Sequence, residues 1–191
     1  YLGGDAGHTR SSRLDQINAD NFADLEVAWT WRSDNFGPNL DYFSRSTPIY
    51  VDGMLYSVAT PRRQVIAMDP ATGENLWTFR ETPTIRHSRS PRQAYGKGVA
   101  YAEVNSRGVI YITTPGFFLW ALDAKTGQPL ENWGAAVPLE GFADTGVVDL
   151  IPHLVEDWGP WQDYVIAGGS YDPNYGIPRE LGMVTASAPP I

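Results

Sequence analysis

Cysteine is missing from the 191 residues, and methionine occurs only three times. Without cysteine there is no disulfide framework from which to read a redox compartment. Excess positive charge is lacking too: 14 Lys and Arg stand against 22 Asp and Glu, a formal net charge of −8. A basic stripe able to neutralise a phosphate backbone is therefore absent, which argues against a nucleic-acid partner. No apolar run approaches the ~18 residues expected of a transmembrane helix, and no signal-peptide pattern is visible. The first residue is Tyr1 rather than Met, so the N-terminus is expected to have been trimmed or processed.

What is abundant is aromatic: seven Trp, ten Tyr and seven Phe. They accompany a repeat. Ala67-Met68-Asp69-Pro70-Ala71-Thr72-Gly73-Glu74-Asn75-Leu76-Trp77 reads as the end of an apolar strand, a tight turn and a second strand carrying a Trp. Val65, Ile66 and Ala67 suit a strand core. Asp69, Pro70, Thr72 and Gly73 are turn residues, each for its own backbone reason. The pattern returns at Ala121-Leu122-Asp123-Ala124-Lys125-Thr126-Gly127, 54 residues on. A supersecondary unit recurring at about 40–55 residues is the mark of a β-propeller, one blade per copy. The reading is all-β: four-stranded antiparallel blades, with 1–25 a loop and short helix and 26–191 the blades.

Along the chain, Asn18 is a plausible N-cap for a turn or two of helix over Ala19 to Asp24. Leu25 to Trp31 reads as a strand with Val27, Trp29 and Trp31 on one side. Residues 33–44 are loop. Thr47 to Val51 and Met54 to Val58 form a hairpin through Asp52-Gly53. Gly98 to Val104 and Gly108 to Thr113 pair around Asn105-Ser106-Arg107, and Phe117 to Asp123 leads into the second repeat. There the expected Trp position is Glu131, with Trp133 two residues beyond. Residues 134–163 read as a long insertion, Tyr164 to Gly168 as a strand, 171–176 as a turn cluster, with extended chain resuming near Met183. At about 50 residues per blade, 191 residues hold roughly three blades.

Trp77 is expected to wedge between neighbouring blades and not to serve as an open stacking platform. Gly96-Lys97 fails as a phosphate loop, because Pro91 stands where the first glycine is required. His8, His87 and His153 are too far apart for a zinc site. Asp144, Asp149, Glu156, Asp157 and Asp163 lack calcium-loop spacing and read as a solvated acidic face. No metal ligand is assigned. The one local concentration of positive charge is Arg80, Arg86, Arg89, Arg92 and Lys97, which is either a solvated basic loop or an anion site.

The repeat resembles the tryptophan-docking motif of the pyrroloquinoline-quinone (PQQ) alcohol and glucose dehydrogenases. So do Tyr1-Leu2-Gly3-Gly4-Asp5, Leu14-Asp15-Gln16-Ile17-Asn18, Leu25-Glu26-Val27-Ala28-Trp29, Gly96 to Tyr101, Val147-Val148-Asp149-Leu150 and the lead-in Ser187-Ala188-Pro189-Pro190-Ile191, in the family's order. The resemblance implies an eight-bladed propeller of which this is the N-terminal part, stopping where a further strand should begin, and a periplasmic location. It implies a quinoprotein oxidoreductase, a dehydrogenase that oxidises an alcohol or sugar and passes electrons to a cytochrome or quinone. PQQ would take hydride, a calcium ion held by residues beyond 191 would polarise it, and an Asp, also beyond 191, would take the proton.

PQQ is a planar tricarboxylate, so cations should face it. The cofactor contacts implied are Lys97 at the family's Arg position, Ser187 at its hydroxyl position, and Arg45 where the family carries Glu. Arg89 and Arg92 are added from the basic cluster. The charge reversal at Arg45 keeps a second reading open, a non-catalytic propeller scaffold in the cell envelope.

Overall fold

The computed structural model describes residues 5, 7–33, 45–59, 63–89 and 98–151. Two four-stranded antiparallel sheets make up its body. Strands β1 (Ile49–Val51), β2 (Met54–Ala59), β3 (Gln64–Met68) and β4 (Asn75–Phe79) lie in sequence order in the first. Strands β5 (Ala100–Val104), β6 (Arg107–Thr113), β7 (Phe118–Asp123) and β8 (Val147–Asp149) do the same in the second. Each sheet is a meander in which every strand pairs with its chain neighbour, the arrangement of a propeller blade.

The tight turns form where their residues tolerate left-handed backbone. Asp52 and Gly53 both have positive φ, 50° and 80°, and join β1 to β2 with Val51 opposite Met54. Asn105 and Ser106, at 51° and 61°, do the same between β5 and β6. Both are two-residue hairpins with the twist of a type I′ turn. Strand β3 is buried along its whole length, as the apolar run Val65-Ile66-Ala67-Met68 predicts. The main core lies between the sheets. Tyr56, Val58, Val65 and Ala67 meet Ile110, Ile112, Phe118, Trp120 and Leu122 there.

The two repeat copies fold alike in the bonds that their backbone amides make. Asp69 Oδ1 accepts from the amides of Ala71 (2.7 Å) and Thr72 (3.1 Å), while Gly73 N donates to Asp69 O at 2.8 Å. Asp123 Oδ1 accepts from Lys125 and Thr126 at 3.0 and 2.9 Å, and Gly127 N reaches Asp123 O at 2.8 Å. The turn therefore needs a short carboxylate first and a glycine fifth, which is the spacing in the sequence.

Each turn receives an indole from the preceding stretch of chain. Trp77, in β4, donates Nε1–H to Ala124 O at 3.0 Å and covers Gly127, where a Cβ would fall 2.6 Å from its Cδ2. Trp29 repeats the contact one step earlier: Nε1–H to Pro70 O at 3.0 Å, its ring over Gly73. Pro70 and Ala124 are equivalent positions of the repeat. The expected wedge is thus a forward dock, with Trp77 half-buried.

Several expectations are corrected. Leu25 to Trp31 forms no strand among the described residues. Trp29 and Trp31 both bond to the first repeat, Trp31 through Nε1–H to Asn75 Oδ1 at 2.9 Å, whereas Val27 is 84% exposed. The N-terminal helix is a single 3-10 turn, Phe22–Asp24, behind Asn21. Asn18 still organises its approach, its Oδ1 accepting from Asp20 N at 2.9 Å and its carbonyl from Phe22 N at 3.0 Å. A short helix, α1 (Ile85–Arg89), appears inside the basic stretch.

The long insertion is also narrower than read, because β8 lies within it. Leu122 bridges Pro129, so the fourth strand starts directly after the turn, leaves at Glu131 and resumes at Val147. Thr145 closes the neck of this excursion, its hydroxyl accepting from Trp133 N at 3.2 Å. Trp133 packs edge-on against Tyr111 of its own sheet at 5.7 Å. The expected strand at 164–168, the turn at 171–176 and the lead-in at Ser187 lie outside the described residues. Among the described residues, no helix is long and apolar enough to cross a membrane.

Candidate functional site

In antiparallel sheets the strand ends alternate between two edges. One edge carries the hairpin turns and the docking turns, and its polar pairs both hold those turns and bridge the two sheets. Arg107 Nε donates to Asp123 Oδ2 at 2.6 Å. Burial alone would raise the Asp123 carboxyl, but the hydrogen bonds from Arg107 and Thr126 outweigh it and hold the group below its usual range. At the same edge Tyr56 donates to Ala124 O at 3.0 Å, and burial pushes its phenol up to about 12.

The opposite edge collects the entries of β1 and β5, the β2–β3 and β6–β7 turns, and the exits of β4 and β8. Arg45 stands there, exposed, four residues before β1. Next to it Ser46 Oγ accepts from Val58 N at 3.0 Å and lies 3.3 Å from Ser57 Oγ, which ties the segment to β2. Gly98 arrives from the second sheet at φ +139°, so close that a Cβ would sit 3.1 Å from Thr47 O. The backbone next to Lys97 and the backbone two residues from Arg45 therefore meet, although Arg45 and Lys97 are 52 residues apart in sequence. Lys97, Arg92 and Ser187 themselves lie outside the described residues. Arg89 ends α1.

Behind this edge is a buried polar node that the sequence reading did not single out. Glu81, just past β4, is buried. Its Oε2 accepts from Thr114 Oγ1 and from Trp120 Nε1, both at 2.6 Å. Its Oε1 has no hydrogen-bond partner among the described residues. Burial pushes the carboxyl up to about 7; the hydrogen bonds from Thr114 and Trp120 and the charges of Arg86 and Arg63 oppose that rise without cancelling it. Such a group holds or releases a proton near neutrality.

Arg86, from α1, forms a bidentate pair with Asp149 at 2.8 and 3.1 Å and also donates to Gly116 O at 3.0 Å. Its Cζ lies 4.5 Å over the Phe118 ring. Arg63, in the β2–β3 turn, reaches Thr113 O at 3.3 Å. Two expectations change with this. Arg86 is not a solvated member of the basic cluster but a buried strut, and Asp149 belongs to that pair and not to a solvated acidic face. No local signal could have found the node, because Glu81 finds its partners 33 and 39 residues away.

Comparison with known proteins agrees with this geometry. The profile for the "Glucose/ethanol/alcohol dehydrogenase, beta-propeller domain" of the PQQ family matches residues 1–167. The quinohemoprotein alcohol dehydrogenase of Comamonas testosteroni is 36% identical over 137 residues, 69% of this chain and 17% of that protein. The quinohemoprotein alcohol dehydrogenase ADH IIB of Pseudomonas putida is 30% identical over 170 residues, 87% of this chain and 23% of the relative. The crystal structure of the Comamonas testosteroni enzyme superimposes with a TM-score of 0.54 at 34% identity, over 66% of this chain and 18% of that one. The chain thus spans about a fifth of the length of these relatives. It belongs to the PQQ glucose, ethanol and alcohol dehydrogenase β-propeller family.

Proposed function

We propose that the chain is part of a quinoprotein oxidoreductase that oxidises an alcohol or sugar and holds PQQ at the edge where β1 and β5 begin. The observation that carries this is the approach of Gly98 to Thr47, which draws together the segments of Arg45 and Lys97. The donor set suits the cofactor: a tricarboxylate calls for cations at its rim, Arg45 is exposed there, and no acidic residue lies between Arg45 and β1. Arg45, Lys97, Arg89 and Arg92 would bind its carboxylates, with Ser187 adding a hydroxyl. When bound, PQQ supplies a quinone carbonyl that accepts hydride. Calcium ligands and the catalytic base are assigned to residues outside 1–191, the electrons to a cytochrome or quinone, and the compartment to the periplasm.

The reversal from Glu to Arg at position 45 favours a second reading, an envelope scaffold that shares the propeller without the cofactor. Titrating PQQ into the calcium-loaded full-length protein, followed by calorimetry, separates the two. Saturable one-to-one binding is expected; its absence would give the scaffold.

A further inference from the structure

Residues 131–146 leave the second sheet after Leu130 and rejoin it at Val147, a loop with its ends together and its own side chains packed inward, in the manner of an Ω-loop. Its neck is bonded through the backbone: Gly146 N donates to Trp133 O at 2.6 Å and Ala135 N to Val147 O at 2.9 Å. Beyond the neck, the backbone bonds of 136–144 run within the loop, from Leu139 N to Val137 O at 2.7 Å and from Phe142 N to Leu139 O at 3.2 Å. Side chains hold the tip down instead. Val137, Leu139, Phe142 and Ala143 pack on the core between the sheets, and Thr82 Oγ1 donates to Gly141 O at 3.0 Å. A segment without ladder bonds opens more readily than the sheet beneath it. We propose that this loop is a proton-sensitive strap: it stays seated while the Glu81 carboxyl is neutral, and lifts at Phe142 to let water reach that carboxyl once it is ionised. The device is independent of the cofactor assigned above.

Phe142 and Glu81 share two neighbours. The Phe142 ring lies 5.3 Å from that of Trp120 and 4.8 Å from that of Phe118. Trp120 Nε1 donates to Glu81 Oε2 at 2.6 Å. Glu81 Oε1 and the Phe118 ring both come within 3.0 Å of the point that a Cβ on Gly116 would occupy. Thr82, the residue after Glu81, holds Gly141, the residue before Phe142, so closely that a Cβ on Gly141 would sit 2.9 Å from Thr82 Oγ1. The tip of the loop therefore rests on the residue next to Glu81 and on both rings beside its carboxyl.

With the loop seated, this geometry favours the neutral acid. Oε2 takes both donors, from Thr114 and Trp120, whereas Oε1 has no hydrogen-bond partner among the described residues and Glu81 is only 7% exposed. Charge spread onto an oxygen without a donor is costly away from water. The cations that oppose this are Arg63 of the β2–β3 turn and Arg86 of α1, the latter paired with Asp149 of β8. On the same elements His87 is half-buried and Arg80 exposed, and the loop's own Glu131, Glu140 and Asp144 are exposed. Burial wins, and the carboxyl is pushed up to about 7. Water at Oε1 returns it toward its ordinary 4.5, so the seated loop is favoured most below pH 4.5 and loses that advantage as pH rises to about 7.

The test is hydrogen–deuterium exchange on the full-length protein, corrected for the intrinsic pH dependence of amide exchange. Protection of a peptide covering 135–144 should fall about tenfold between about pH 5 and 7.5 and then level off, while a peptide covering β6, 107–113, keeps its protection. Glu81→Gln stays neutral at every pH and still offers an oxygen to Thr114 and Trp120, so it should keep the loop protected throughout. Loop protection that is flat with pH in wild type, or a fall that survives in Glu81→Gln, overturns the strap. An equal fall in β6 assigns the change to the whole sheet and overturns it as well. Should Glu81→Gln fail to fold, Phe142→Ala decides: with the seat gone, the loop should be weakly protected at every pH, and a pH dependence of wild-type size overturns the proposal.

Discussion

Arg86 and Asp149 face each other across 63 residues of sequence and close two parallel hydrogen bonds, at 2.8 and 3.1 Å, with the guanidinium only 3% exposed. This fork joins the connector after the first sheet to the last strand of the second. Asp149 also accepts from Ile151 N at 3.1 Å, so it fixes its own strand end as well.

Removing one partner of a buried pair strands the other charge, at a cost of about 3–5 kcal/mol. Asp149→Asn should therefore cost the full-length protein roughly 3 kcal/mol, read by urea unfolding. The double replacement Arg86→Met with Asp149→Leu should cost less than Asp149→Asn alone. A double more damaging than the single would show that the pair contributes through its charge attraction and not mainly through avoiding a buried orphan.

Docking of Trp77 on Gly127 predicts an asymmetry between two glycines of similar backbone. Gly53, at φ +80°, has nothing within 4 Å of a built Cβ, and Gly127, at φ +70°, has the indole of Trp77. Gly53→Ala should cost about 1–2 kcal/mol from left-handed strain alone. Gly127→Ala should cost that and roughly 1–3 kcal/mol more from overpacking. Equal losses in denaturant melts would mean that the dock yields freely.

Burial raises the Glu81 carboxyl from its ordinary 4.5 to about 7, so the folded state binds this proton more tightly than the unfolded chain. Its contribution to stability is therefore complete below pH 4.5, declines as pH rises, and is gone above about 7. The size is on the order of 3 kcal/mol, since each tenfold gain in proton affinity is worth about 1.36 kcal/mol. Glu81→Gln should flatten this decline, so the stability difference between wild type and variant should change steadily between pH 4.5 and 7. A constant difference would mean that Glu81 is ionised throughout.

If Lys97 binds a cofactor carboxylate, its charge-assisted hydrogen bond is worth about 1.5–3 kcal/mol. Lys97→Ala should then weaken PQQ roughly tenfold to a hundredfold in the calcium-loaded full-length protein, with the fold intact by circular dichroism. Arg45→Glu, which introduces the charge the family carries there, distinguishes a cationic grip from the usual one. Weaker binding supports the former, and tighter binding would show that Arg45 opposes the cofactor.

What could be read in the sequence was what is local. Asp69 and Asp123 bond to amides two and three residues on, so five residues specify each docking turn, and Asp52-Gly53 specifies a hairpin. The same locality explains the misses. Leu25 to Trp31 has a strand's alternation, yet a strand exists only with a partner. β8 follows a 16-residue excursion from Glu131 to Gly146, and only pairing with β7 reveals it. At the candidate site, Arg45 came from the family resemblance; it lies four residues before β1, and its role is a proposal. Glu81 and its partners are joined by tertiary contacts alone.

Because each indole reaches forward to the next turn, neighbouring sheets hold one another as links hold in a chain, and the joints need not be equally strong. Trp29 and Trp77 secure two of them, whereas Trp133, two residues past Glu131, packs on Tyr111 of its own sheet. The joint between the two described sheets therefore carries a single latch of this kind, Trp77 on Gly127. Under load or heat, slipping of that one indole off its glycine would be the first sign that the two sheets are parting.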